Sequence, residues 1–312
     1  MVNCRGGKSW LVAAGWLAVC SPRVPGQQPA AAPEWQMAAG NKMAFEVASI
    51  KKDAGPFRPP NFPLDTGDAY RPVGGRFSAD FPLMTYITFA YKIGLAPDQR
   101  QALMAHLPDW VATDRFAIEA RAEGAPTKDQ MRLMMQSLLA ERFNLAAHFE
   151  TQVVPVLAMV LAKPGKTGPK LRPHAEGAAC EATPATDRPP KDGDEVFPPV
   201  CDAYMLMMKP DKGARAGSRN TTMELLAGAL SGLGRLERPV VDQTGLSGRF
   251  DFTLEWAPEP SGPSAPNAEA TADLRGPEFL VALREQLGLK LESTKAPIEV
   301  IVIDHVERPS EN

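Results

Sequence analysis

A chain of 312 residues, 44% of them hydrophobic, has room for one large domain or two ordinary ones and can supply a real core. Its formal charge of −3, with no basic run, argues against nucleic acid or an anionic membrane surface as partner. The 31 prolines are roughly twice the usual share of about 5% and cluster between the periodic segments, which implies long irregular connectors.

Residues 1–26 read as an export signal. Arg5 and Lys8 make a positive start, and Trp10 to Cys20 is an apolar run shorter than the roughly 20 residues a membrane span needs. A cut after Val24-Pro25-Gly26 fits better than a lipoprotein cut before Cys20, because Val19 is a poor residue at that position. The expectation is an extracytoplasmic protein, periplasmic or secreted, with no transmembrane span after signal removal.

Residues 27–43 read as a flexible leader. Phe45 to Ile50 alternates as a strand, and residues 53–75 are loop. Asp80 is placed as the N-cap of a helix in which Leu83, Met84, Ile87, Ala90 and Tyr91 fall at helical spacing and Gly94 ends the run. Arg115 to Ala120 is a strand. A second helix starts at Thr127, with Gln130 at the capping-box position and a stripe of Met131, Met134, Met135, Leu138, Leu139 and Phe143. Val153 to Leu161 reads as a strand covered on both faces, with Pro155 near its start or on an edge. The first unit is thus 44–163.

Residues 164–217 carry nine prolines with Cys180 and Cys201 and read as a linker. In an exported protein that cysteine pair is expected to close a disulfide, worth about 3 kcal/mol in the chain-entropy account. The second unit is 218–308. A helix runs from Thr222 to Leu233, and Pro239 to Trp256 reads as a hairpin whose turn holds Gly245 and Gly248. On its second strand Phe250, Phe252, Leu254 and Trp256 share the core face. Residues 257–277 are an internal linker. Phe279 to Leu287 is a helix stopped by Gly288; Leu289 to Glu292 and Pro297 to Ile303 are strands, and 309–312 is a tail.

The two halves carry the same order. Arg115-Phe116-Ala117-Ile118 aligns with Arg249-Phe250-Asp251-Phe252, the block from Leu139 to Leu145 with that from Leu283 to Leu289, and Pro155-Val156 with Pro297-Ile298. Such ordered self-similarity points to duplication. The fold class is α+β: two similar small units, each a mainly antiparallel sheet packed with two helices, with the option of one shared sheet.

Several of these blocks together carry a family resemblance. Phe45 to Lys51, Pro108-Asp109-Trp110 with Arg115-Phe116, Leu138 to Phe143, Pro239 to Leu246 and Ile303 to Asn312 closely resemble the soil-bacterial TIGR03435 family, also described as DUF3738. The resemblance implies an exported bacterial protein, common in acidobacteria, with no established activity and no catalytic residues to carry over. It also implies kinship with domains attached to antibiotic-sensing membrane metallopeptidases. The repeated unit is more loosely similar to the envelope domains that precede TonB-dependent receptors and secretins, a likeness of fold that assigns no function.

No chemistry stands out. His106, His148, His174 and His305 lack zinc spacing, so neither metal nor cofactor is expected. Gly245-Leu246-Ser247-Gly248 lacks the spacing of a nucleophile elbow. Asp242 and Asp251 flank the turn and would suit acid–base work as a pair, but turn hydrogen bonding and pairing with Arg249 account for them more simply. Trp110 and Trp256 would suit a glycan or peptide, and core anchoring is the simpler role. The binding candidates are Asp242, Thr244, Arg249, Asp251 and Trp110. The leading expectation is a non-enzymatic envelope module that binds a protein, peptide or glycan, by strand addition to a sheet edge. The alternatives are a carboxylate-dependent hydrolase of an envelope polymer and a sensory domain related to antibiotic-sensing receptors.

Overall fold

The computed structural model describes residues 33–40, 42–67, 72–175, 204–209, 213–257 and 278–309. The segment expected to be an export signal, Cys180 and Cys201 lie outside the described residues, as does most of the 257–277 stretch.

In chain order the elements are α1 (Glu34–Ala39), β1 (Val47–Asp53), β2 (Arg76–Pro82), α2 (Leu83–Ala90), α3 (Pro97–Met104), α4 (Trp110–Thr113), β3 (Arg115–Arg121), α5 (Lys128–Phe143) and β4 (Ala146–Leu161). Then follow β5 (Leu171–Pro173), β6 (Tyr204–Lys209), β7 (Gly213–Thr221), α6 (Met223–Leu233), β8 (Val240–Asp242), β9 (Phe250–Trp256), α7 (Phe279–Ala282) and β10 (Leu289–His305). Leu283–Leu287 continues α7 as a π-helical turn. The protein is α+β, with antiparallel pairing dominant.

The first sheet has the order β1-β3-β2 and the second β5-β9-β7-β6. Between them runs a two-stranded ribbon of β4 and β10, 16 and 17 residues long, with β8 added in parallel to β4. Near one end of the ribbon Phe149 and Ile301 join the core of the first unit, which holds Phe77, Leu83, Phe116, Met131 and Phe143. At the other end Met159 and Leu289 join the core of the second, with Leu226, Leu230, Phe252, Leu254 and Leu287. Each unit's last strand therefore extends into the other unit, and the ribbon is the shared sheet.

The two units follow a similar path. β2 leads to α2, and β3 leads through α5 to β4; likewise β7 leads to α6, and β9 leads through α7 to β10. Both sheets place the second of these strands beside the first, β3 beside β2 and β9 beside β7, with a further strand, β1 or β5, on its far side. The aligned residues Asn144 and Gly288 both end a helix in the left-handed conformation, at φ 47° and 71°.

Local signals hold where they rest on a strong period. Burial along β9 alternates as expected, with Phe250, Phe252, Leu254 and Trp256 inside. Thr127 Oγ1 accepts from Gln130 N, and Gln130 Oε1 accepts from Thr127 N. Elsewhere the packing overrides the sequence pattern. Pro239 to Trp256 is not a hairpin: Val240–Asp242 joins β4 in the ribbon sheet, whereas β9 pairs with β5 and β7. Val240 and Phe252 both reach the second core, but from different sheets. Asp80 is not an N-cap: α2 starts at once after β2, and Asp80 lies buried in that strand. Part of the supposed leader forms α1, and Lys92 sits over its Trp35 ring at 5.7 Å. The stretch expected as a linker, 164–217, supplies β5, β6 and the first part of β7. Helices α3 and α4 had no counterpart in the sequence reading, and the two C-terminal strands are one.

Both prolines of the ribbon lie within its strands, at Pro155↔Lys295 and Pro297↔Val153. Leu157 N donates to Pro239 O on the β8 side, so Pro155, two residues earlier, also turns its nitrogen away from β10. Partners in an antiparallel pair turn the same way, so Pro297 points its nitrogen at the opposite free edge. Neither proline costs a ladder bond, and each blocks strand addition where it stands.

Candidate functional site

Two elements and the ribbon between the units bound a cleft of about 730 Å³. One wall is the α2–α3 turn and α3. Pro97 occupies the first helical position, where its missing N–H costs nothing, and Gln99 Oε1 accepts from Ala96 N at 3.0 Å. Asp98 N donates to Glu237 O, which ties the start of α3 to the second unit. No residue of α3 is buried, so the helix stands at the rim rather than in either core. Ile93, Leu95, Ala102, Leu103 and Leu107 line this wall; Val154, Pro155, Val300 and Val302 line the ribbon side, and Pro239 closes the end near β8.

The carboxylates of the cleft are Asp98, Glu150 and Glu299, against Lys92 and His106, with the amides Gln99 and Gln152 beside them. Lys92 is already committed to Asp129 at 3.4 Å. Glu150 belongs to a chain of side chains on one face of β4. Its Oε1 lies 3.2 Å from His148 Nε2, its Oε2 accepts from Gln152 Nε2 at 3.2 Å, and His148 Nδ1 lies 2.8 Å from Asp304 Oδ2. The Gln152 bond, then the His148 contact, holds the Glu150 carboxyl below its ordinary value. Asp304, then Glu150, holds His148 above the usual imidazole value. Glu150 is thereby kept as a charged acceptor, the opposite of what a general acid in a glycosidase-like pair requires.

The residues singled out from sequence lie elsewhere, and none lines the cleft. Asp242 Oδ1 accepts from Thr244 N at 2.9 Å, and Thr244 Oγ1 accepts from Leu246 N at 3.2 Å, so both shape the turn after β8. Arg249 Nη1 donates to Asn220 O at 2.7 Å, and Asp251 Oδ1 accepts from Asn220 N at 2.9 Å. Asp251 also meets His174 Nδ1 at 2.7 Å. This His–Asp pair was missed because 77 residues separate its members. Trp110 stacks on Phe143, meets Phe116 edge-on and carries Arg308 over its ring at 5.2 Å. It is an anchor of the first core rather than a free platform.

The cleft residues were also missed. His148, Glu150 and Gln152 alternate along β4, a period-two signal that lay just before the point where the strand was expected to begin. Among the described residues, no group of three His, Cys, Asp or Glu is placed to hold a metal ion, and no helix is long and apolar enough to cross a membrane.

No curated protein and no solved structure matches the chain. A family described as "Protein of unknown function (DUF3738)" matches residues 84–306, a span that takes in the cleft, the ribbon and the second core. The chain belongs to the DUF3738 family.

Proposed function

We propose that the protein is an exported, non-enzymatic binding module of a soil-bacterial cell envelope, and that the cleft between α3 and the ribbon receives an extended segment of apolar and basic character. The observation that carries this reading is the composition of the cleft: aliphatic walls from Leu95, Leu103, Val300 and Val302, with Asp98, Glu150 and Glu299 as its acids. Such a lining rewards burial of aliphatic side chains and places charge for lysine or arginine. Docking is by side chains in a groove. Strand addition to the ribbon beside the cleft is opposed by Pro155.

The test is binding of an acetylated peptide of alternating leucine and lysine to the purified chain, followed by fluorescence anisotropy. Leu103→Asp and Val302→Asp should each weaken binding by about tenfold or more, the loss expected for a charge placed in an apolar contact. Equal affinity for an alternating leucine and glutamate peptide would overturn the assigned chemistry. Release of soluble fragments from purified cell-wall polymer, abolished by Glu150→Gln, would overturn the non-enzymatic reading.

A further inference from the structure

Independently of the cleft, cations and exposed aliphatic side chains meet around a cavity of about 850 Å³ where the turn after β4 packs on α7. One side is a tight turn. Lys166 N donates to Lys163 O at 3.1 Å across Pro164-Gly165, and Gly165 has φ +68°. That is the conformation of a type II turn with proline and glycine in its central positions, and it sets Lys163 and Lys166 as neighbours. The stem of the turn is fixed to the end of α7. Ala162 N donates to Gly288 O, Gly168 N to Leu287 O and Lys170 N to Gln286 O, each at 2.8 Å. These bonds satisfy carbonyls that a helix end leaves open. A Cβ at Gly168 would lie 2.4 Å from Gln286 O, so only glycine allows this approach.

Arg284 and Lys290 complete the basic set, and Glu285 is the single carboxylate lining the cavity among the described residues. Lys163, Lys166 and Arg284 have no ion-pair partner among the described residues; Lys290 pairs with Glu292 at 2.6 Å. Beside them Leu280 and Val281, in the first turn of α7, are 56% and 43% exposed, while Ala282 next to them is buried. A chain with net charge −3 therefore gathers four cations against two acids, Glu285 and the Lys290 partner Glu292, at the place where two aliphatic side chains protrude.

We propose that this surface docks on an anionic lipid bilayer, with Lys163, Lys166, Arg284 and Lys290 among the headgroups and Leu280 and Val281 at the acyl boundary. A free anion would leave the aliphatic pair in water, and a peptide of acidic residues alone offers nothing apolar to match it; a bilayer interface supplies both chemistries at one depth.

The test is co-sedimentation of the full chain with vesicles of phosphatidylglycerol and phosphatidylcholine (3:7), compared with pure phosphatidylcholine. Preferential binding to the anionic vesicles is expected. It should fall roughly tenfold or more in K163E/K166E, since each cation near such a surface contributes a several-fold factor, and several-fold in L280S/V281S. R284Q, at an exposed position, should weaken binding in the same direction if either double variant fails to fold by circular dichroism. Equal binding to both vesicle types, or unchanged binding in the lysine variant, would overturn the proposal. A lysine-variant loss without an aliphatic-variant loss, or equally tight binding of poly-glutamate, would identify a plain anion or acidic-protein site and also overturn it.

Discussion

Asp80 and Arg115 offer the sharpest test of the packing in the first unit. Asp80 is 1% exposed, and neither carboxylate oxygen has a hydrogen-bond partner among the described residues. The charge facing it is Arg115, whose Nη2 lies 3.5 Å from Asp80 Oδ2 and which also donates to Gly55 O. Arg115→Met keeps most of the aliphatic stem and removes the charge. The buried carboxylate is then left uncompensated, a change that costs about 3–5 kcal/mol. With roughly 2–4 °C per kcal/mol for a domain of this size, the melting temperature should fall by about 6–20 °C. The double variant Asp80→Leu with Arg115→Met replaces the pair by apolar groups and should return to within about 1–2 kcal/mol of the parent. Urea unfolding with a fixed slope measures all three. A single variant within about 0.5 kcal/mol of the parent, or a double variant as unstable as the single, would refute the reasoning.

The remaining predictions concern the ribbon and the turn docked at its end. Gly168→Ala should destabilise by about 1–3 kcal/mol because its Cβ would meet backbone that cannot step aside. Gly165→Ala, at φ +68° but with open space around it, should cost only about 1 kcal/mol; equal melting shifts for the two would contradict the docking. His148 should titrate by NMR above its unfolded value of about 6.5, and Asp304→Asn should lower it. Its raised folded value means that its stabilisation is present in full below about pH 6.5 and is lost as pH rises through the folded value. A midpoint at or below the ordinary imidazole value would dismiss the ion-pair chain. Pro155→Ala and Pro297→Ala should each change stability by less than about 1 kcal/mol, since neither position donates to the ladder. Replacing both by valine should promote self-association in light scattering, and unchanged scattering would show that the prolines do not guard the edges.

Of the first unit's helices, α5 was readable nearly to the residue, because Thr127, Gln130 and the Met131 to Phe143 stripe are contacts within one element. The pattern Phe250, Phe252, Leu254, Trp256 was readable for the same reason. Asp80 misled because an aspartate before a helical stripe is the local signature of a cap, whereas its pairing with Arg115 is a long-range event. α3 was silent because none of its residues is fully buried and only Leu103 and Met104 pack partly against the first core, which leaves no apolar period, although the helix forms a wall of the cleft. β4 and β10 were read short because Pro155 and Pro297 look like strand ends; that they face open edges is decided by which neighbour the strand has.

By itself the sequence determined the α+β class and the faces of the strongest elements, since those follow from side-chain period and short-range capping. Only the tertiary structure decided that the two units exchange their last strands through one ribbon and that β8 and β9 part into different sheets. It alone also formed the acidic, apolar cleft from residues of both units and drew four cations together in a net-negative chain. The reason is physical: these features depend on pairing and burial between distant segments, which local preference leaves open.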